Sequence, residues 1–249
     1  MKLIFKIILK YYLKYMAKLV LLIYRPIIIV IAGSTNKTFV KNEINNVLQK
    51  LGKKTRSNYK NFNTEIGLPL TILNLNSGYN SYKNWIPIIF KAPFAIFQKN
   101  YPKYLVLELG ISNPGDMKHL LSIINPKIAI ITNITQRYLE NFSNINKLAG
   151  EYEYLINKIK KNNLLILNKD NQKIKLISRK TNNKIKFFGL QNNVDYQAIH
   201  INKTINGQKF MIKHKNKIIN KQINKFGEHH IYASLIGKII MDYYVQKNK

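Results

Sequence analysis

The chain has no cysteine, which excludes disulfides and thiolate zinc sites. Acidic residues are scarce: 11 Asp and Glu stand against 41 Lys and Arg, a formal charge of +30. The five histidines are scattered apart from one adjacent pair, His229-His230. No H-E-x-x-H pattern occurs, so a metalloprotease is disfavoured. Also missing are an internal repeat, a low-complexity linker, and an N-terminal apolar centre with a small-residue cleavage site, so a secretory signal peptide is not indicated.

What remains is enough for one substantial domain or two small ones: 249 residues, 46% hydrophobic. So basic a chain points to nucleic acid or an anionic membrane as partner. The lysines are spread over the whole length, however, and Ile, Asn, Lys and Tyr are all abundant. These four share AT-rich codons, so drift in base composition is the simpler account of the charge. Non-specific polyanion binding is expected at low salt, and no specific nucleic-acid partner is expected.

Residues 2–24 contain neither Gly nor Pro and read as one helix. Lys2, Lys6, Lys10, Lys14 and Lys18 recur every four residues, which on a helix gives a slowly drifting basic stripe beside apolar side chains. A membrane span needs about 20 apolar residues with few charges, and five lysines argue against one. Two readings stay open: a helix lying on an anionic membrane surface, or one packed on the domain that follows. Packing aided by membrane proximity is slightly favoured. Arg25-Pro26 ends the helix, because the residue before proline avoids the α region.

Next comes the strongest chemical signal. An apolar run, Ile27 to Ala32, breaks into Gly33-Ser34-Thr35-Asn36-Lys37-Thr38, and a helical pattern begins. Strand, tight turn, Lys-Thr and helix make a phosphate cradle: backbone N–H groups face the anion, Lys adds charge, and the hydroxyl holds Mg²⁺. The glycine expected before Lys37 is Asn36, the non-glycine residue that best tolerates a left-handed backbone. A basic turn rich in Asn, Ser and Thr is the alternative reading.

Helical periods follow at 39–51, 84–99, 114–124, 144–161, 170–178 and 228–245, with Pro114 at an early helical position. Residues 62–73 read as a turn into an extended apolar piece. Buried strands are expected at 104–110, 127–134, 164–168 and 184–189. Apolar strands alternating with helices imply a mostly parallel sheet flanked by helices on both faces, an α/β fold. From about 194 to 226 the alternation has period two and reads as a small antiparallel extension.

Six segments in order, from about 25 to 245, together resemble the ATP-binding central domain of the Mur ligases. Within that family the resemblance is strongest to the branch that adds D-alanyl-D-alanine to a UDP-muramoyl tripeptide. The segments are GSTNKT, TEIGLPLTIL, LVLELGISNPGDM, IITNITQRYLENF, LLILNKD and FGEHHIYASLIG. The resemblance divides the chain into a basic amphipathic helix, 1–25, and a central nucleotide-binding domain, 26–249. It implies ATP-dependent amide ligation in peptidoglycan precursor synthesis: ATP phosphorylates a carboxylate and an amine attacks the acyl phosphate. Cofactors would be ATP and Mg²⁺, with a cytoplasmic location, peripheral to the inner face of the membrane if residues 1–24 bind it. Lys37 would contact the β/γ phosphates, and Thr38 and Glu108 would hold Mg²⁺. Asn133, His229 and His230 would lie near the nucleotide. The plain alternative for Glu108 is a strand-end carboxylate in solvent.

The chain also departs from the family pattern. The family histidine of T-N-I-x-x-x-H is Tyr138, and Tyr152 stands where the family has a carbamylated lysine. A phenol, with a pKa of about 10, is a poor Mg²⁺ ligand near neutral pH. Glu151 and Glu153 flank that position, but on a helix they point about 100° away. The two asparagines of H-N-x-x-N are His230 and Ala233. The family's substrate-gripping N-terminal domain and closing C-terminal domain are not expected within this sequence. Three functions are therefore expected to compete: a degenerate ligase or pseudoenzyme that still binds Mg-ATP, one piece of a split ligase completed by another chain, and a non-catalytic, membrane-apposed scaffold.

Overall fold

The computed structural model describes residues 3–59, 62–136, 139–179, 181 and 183–247. The elements run α1 (Leu3–Tyr24), β1 (Ile27–Ala32), α2 (Lys37–Lys50), β2 (Thr55–Ser57), α3 (Gly67–Leu73) and α4 (Tyr82–Lys91). A 3-10 turn, Pro93–Phe97, leads to β3 (Tyr104–Glu108), α5 (Asp116–Leu121), β4 (Ile128–Ile131), α6 (Ile145–Lys158), β5 (Leu164–Asn168) and α7 (Gln172–Ser178). The chain closes with β6 (Lys184–Gly189), β7 (Tyr196–Thr204), β8 (Gly207–His214), β9 (Lys217–Ile223) and α8 (Glu228–Lys247).

The strands form one sheet in the order β2-β3-β1-β4-β5-β6-β7-β8-β9. Pairing is parallel from β2 through β7 and antiparallel for β7-β8 and β8-β9. The antiparallel extension is thus an edge of the same sheet. Strand side chains alternate between two cores. Val30, Leu107 and Ile131 face α1, α3, α4, α5, α6 and α7, whereas Ile31, Val106 and Ile130 face α2 and α8. Burial on both faces explains why these strands are apolar throughout.

The N-terminal helix packs on the domain through one of its faces. Leu9, Leu13, Ala17 and Val20 are no more than 2% exposed, and Lys6 pairs with Glu65 at 3.1 Å.

Three expectations need correction. Residues 67–73 are a helix, buried throughout, and not an extended piece. A short apolar run buried on every side carries no period that separates strand from helix. Pro69 falls in the first turn, where a missing N–H costs nothing. The helix expected over 84–99 ends at Lys91 and resumes as the 3-10 turn from Pro93. Proline has no N–H for the carbonyl of Ile89 four residues back, and the Tyr12 hydroxyl donates to that carbonyl instead, at 2.8 Å. The third concerns α5: Pro114 precedes it, and Gly115, at φ 88°, occupies the N-cap. Strand β2 is a three-residue edge with no apolar signature, and periodicity missed it.

Candidate functional site

In this strand order β1 lies between β3 and β4, and the crossovers from β1 and β3 leave in opposite directions. That is a topological switch point, where a crevice opens beyond the strand C-termini. Register does the rest: Ile31 pairs with Glu108 and Ala32 with Ile131. The loop after β1, Glu108 at the end of β3, and Thr132-Asn133 after β4 therefore meet at one edge.

Residues 33–36 form the loop and Lys37 starts α2. Gly33 has φ +139°, and a Cβ there would come within 2.1 Å of Thr132 Oγ1, so only glycine fits. Asn36 caps α2 at φ 68°, ψ 2°, the left-handed conformation that a glycine would otherwise supply. Lys37 Nζ donates to the Gly33 carbonyl at 2.7 Å, holding its charge over the loop.

The segment after β4 braces this loop. Ser34 N–H donates to the Asn133 carbonyl at 2.9 Å, and Ser34 Oγ accepts from Thr135 N–H at 3.0 Å. Asn133 Oδ1 accepts from Thr35 N–H at 2.9 Å, and its amide donates to Thr35 Oγ1 at 2.6 Å. Thr132 Oγ1 donates to the Thr35 carbonyl at 2.7 Å. Asn133 stands beside the loop, and its side chain is engaged in shaping it.

Glu108 is 3% exposed, so the alternative of a carboxylate in solvent is set aside. Thr38 Oγ1 lies 3.3 Å from its Oε2. Lys41, one turn after Lys37 on α2 and 5% exposed, brings Nζ to 2.8 Å from Oε1. The same ammonium donates to the Asn58 carbonyl at 2.9 Å, and the Asn58 side chain accepts from Glu108 N–H. Lys41 and Asn58 escaped the sequence reading. Their spacing was visible, but nothing in a lysine-rich helix marks one lysine as buried.

The carboxylate fits a hard cation. Glu108 Oε1 is paired with the buried Lys41 ammonium at 2.8 Å, so Oε2, beside the Thr38 hydroxyl, is the oxygen that faces a cation. One carboxylate and one hydroxyl suit Mg²⁺, which takes few protein ligands and fills its octahedron with phosphate oxygens and water.

Across α2 lie His229 and His230, the first turn of α8. The Phe39 ring is 4.6 Å from that of His229 and 4.7 Å from that of His230. Burial, and then the neighbouring charges of His229 and Lys225, pull the His230 pKa below its usual value. Beside these rings is a cavity of about 260 Å³ lined by Phe39, Asn42, His230 and Ala233 among others. Phe39 was another omission, since an aromatic residue after Lys-Thr reads as core until its 40% exposure is seen.

The altered positions fare differently. Tyr152 is 1% exposed, within the apolar core under α6. Glu151 is occupied elsewhere, its carboxylate accepting from Gly115 N–H at 2.8 Å and Met117 N–H at 2.9 Å at the start of α5. Tyr138 lies outside the described residues. Among the described residues, no three His, Cys, Asp or Glu side chains cluster as a metal site.

Sequence and structure comparisons agree with one another. A segment of 118 residues is 34% identical to the UDP-N-acetylmuramoyl-tripeptide–D-alanyl-D-alanine ligase of Buchnera aphidicola subsp. Baizongia pistaciae, covering 47% of this chain and 20% of that protein. The ligase of the same name from Borreliella burgdorferi is 31% identical over 128 residues, covering 51% and 22%. Among solved structures, the MurF ligase from Thermotoga maritima in complex with ADP superposes with a TM-score of 0.77 at 20% identity, covering 94% of this chain and 49% of that one. MurF from Acinetobacter baumannii gives 0.74 at 17%, covering 96% and 46%. The chain thus spans about half the length of these solved relatives, and at such identities they establish the fold alone. The profile of the Mur ligase middle domain matches residues 31–240, and the chain belongs to the Mur ligase family.

Proposed function

We propose that the chain binds Mg-ATP in the crevice above β1, β3 and β4, and that it is the nucleotide-binding part of a peptidoglycan-precursor amide ligase with impaired catalysis on its own. The observation that carries this reading is the convergence of Lys37, Thr38 and Glu108 on one loop braced by Asn133. The N–H groups at the start of α2 receive the phosphates, those of Ser34 and Thr35 being engaged by Asn133. Lys37 exchanges the Gly33 carbonyl for a phosphate oxygen. Thr38 and Glu108 would hold Mg²⁺, which when bound neutralises charge developing on the transferred phosphoryl group. Lys41 keeps the Glu108 carboxylate aimed at the loop. His229, His230 and Phe39 offer rings against which a base stacks.

Impaired catalysis is supported by Tyr152, a core phenol where the family resemblance calls for a charged metal bridge. The second element of the proposal is that catalysis needs the parts of the solved relatives that this sequence does not span, about half their length. The location that follows is cytoplasmic.

Calorimetry of Mg-ATP with the wild type and Lys37→Ala tests the first element. Saturable binding that Lys37→Ala abolishes is the expected result. Absence of wild-type binding, or equal binding by both proteins, would overturn it. Ligase activity of the isolated chain at a rate typical of such enzymes, about 1–10³ s⁻¹, would sink the claim of impairment.

A further inference from the structure

Most exposed large apolar side chains of the described residues fall in two stretches, 4–23 and 79–97. The fold lays these side by side. The Phe5 ring meets the edge of the Tyr82 ring at 5.1 Å. Tyr12 donates to the Ile89 carbonyl at 2.8 Å, and Tyr24 to the carbonyls of Ile96 at 2.7 Å and Gln98 at 2.9 Å. Contacts 5 to 82, 12 to 89 and 24 to 96 mean that α1 and the α4–3-10 segment run in the same direction, touching along their length.

Helical spacing places the exposed residues relative to that seam. At about 100° per residue, Ile4, Ile8, Tyr15 and Leu19 fall within an arc of roughly 60°, on the solvent side of Phe5 and Tyr12. Ile86 and Phe90 fall likewise on the solvent side of Tyr82 and Ile89. Both outer faces therefore turn the same way. Phe94 and Phe97, 68% and 74% exposed, extend the line beyond α4, and Phe90 is 71% exposed.

On the solvent-facing rim of this face the charge has one sign, while Glu65 pairs with Lys6 on the far flank of α1. No Asp or Glu occurs in residues 1–42 or 66–107. Exposed Lys18, Arg25, Lys83, Lys91 and Lys99 border the apolar strip. A protein partner matched to an apolar strip needs no such acid-free rim. An anionic bilayer does, because the rings enter the headgroup boundary while lysines sit over lipid phosphates. No described helix is long and apolar enough to cross a membrane.

We propose that this two-helix face docks the domain on an anionic membrane surface, with Phe90, Phe94 and Phe97 inserted and α1 lying flat beside them. The helix does not act as a detachable leash, since Leu9, Leu13 and Ala17 are buried against the domain. The proposal is independent of nucleotide binding.

The test is co-flotation of the whole chain with vesicles of phosphatidylglycerol and phosphatidylcholine, and with phosphatidylcholine alone. Wild type is expected to float with the anionic vesicles and to retain part of that binding at about 0.5 M salt, where exposed charge pairs are screened. The triple variant Phe90→Ser/Phe94→Ser/Phe97→Ser should partition at least about ten-fold less, because each ring contributes apolar burial. Trp85, the only tryptophan, lies 2% exposed beneath this face. Its fluorescence in the unmutated protein should be quenched by brominated acyl chains, a readout that needs no variant. Absence of flotation would overturn the proposal. So would equal flotation of the triple variant, which would leave only the diffuse charge as the cause. Flotation without Trp85 quenching would place the contact on another face. A wild-type dimer in sedimentation that the triple variant abolishes, without vesicle binding, would assign the strip to a second copy of the chain.

Discussion

Two positions to which the family resemblance assigns metal ligands have taken opposite courses in this chain. At Glu108 the surroundings stay polar and tightly paired: Thr38 approaches one oxygen, Lys41 the other, and Asn58 ties lysine and strand together. At Tyr152 the side chain is buried within the core cluster under α6. Strand register fixes Glu108 at the mouth of the crevice, opposite Ile31. A helix face packed on a core accepts a large ring in place of a charge, because ring burial is favourable there. On the assignment the family resemblance makes, a charged group stands at one position and a phenol at the other.

Restoring the lysine should break this contrast most sharply. Tyr152→Lys puts an ammonium into an apolar core and is expected to cost about 4 kcal/mol or more. Tyr152→Phe should cost no more than about 1.5 kcal/mol. Urea unfolding separates the two, and equal midpoints would mean that the site is roomier and wetter than the packing implies. Next in size is Glu108→Ala, which leaves Lys41 buried without its counter-charge and should cost about 3 kcal/mol. The double variant Lys41→Met/Glu108→Leu should recover much of that loss, because a buried ion pair is often replaceable by apolar side chains. Failure to recover would mean that the network of Asn58 carries the stability.

Within the loop, Gly33→Ala forces an L-residue into φ +139° against Thr132 and should cost about 2 kcal/mol. It should also abolish nucleotide binding. Asn36→Gly needs no change of backbone and should raise the unfolding free energy by less than about 1 kcal/mol, leaving Mg-ATP affinity within a few-fold. A large effect there would show that the Asn36 side chain has a task beyond its φ.

A further effect is a pH slope. His119 on α5 has its pKa lowered to about 4, first by burial and then by Lys10 and Lys14 of α1. Its folded pKa lies below the unfolded one, so the folded state binds fewer protons. Stability should be full above about pH 6.5, decline as the pH falls toward 4, and level off below. His119→Gln should flatten that slope in unfolding titrations.

Much of this was legible in the residues themselves. Ile27–Ala32 followed by a Gly-to-Thr turn announced strand, loop and helix, and Asn36 was recognised as the residue able to take a left-handed backbone. The alternation of apolar strands with helices gave the α/β class, and period two after 194 gave the antiparallel edge. Less could be read where burial alone decided. The segment 67–73 has no period because every side is covered. Lys41 looks like any other lysine until the sheet brings Glu108 to it. Phe90, Phe94 and Phe97 carry no local mark of exposure, and only the packing shows that α4 buries Trp85 and Ile88 instead.

By itself, then, the sequence determined most of the strands and helices, the strand–turn–helix junction at 33–38, and that the charge is strongly positive. These follow from local patterns: side-chain period, backbone tolerance and composition. Tertiary structure alone decided that Glu108 meets Thr38 and Lys41, that Tyr152 is core, and that α1 joins α4 in one exposed apolar face. Each of those depends on residues tens of positions apart being brought together by strand order and helix packing, which no local pattern encodes.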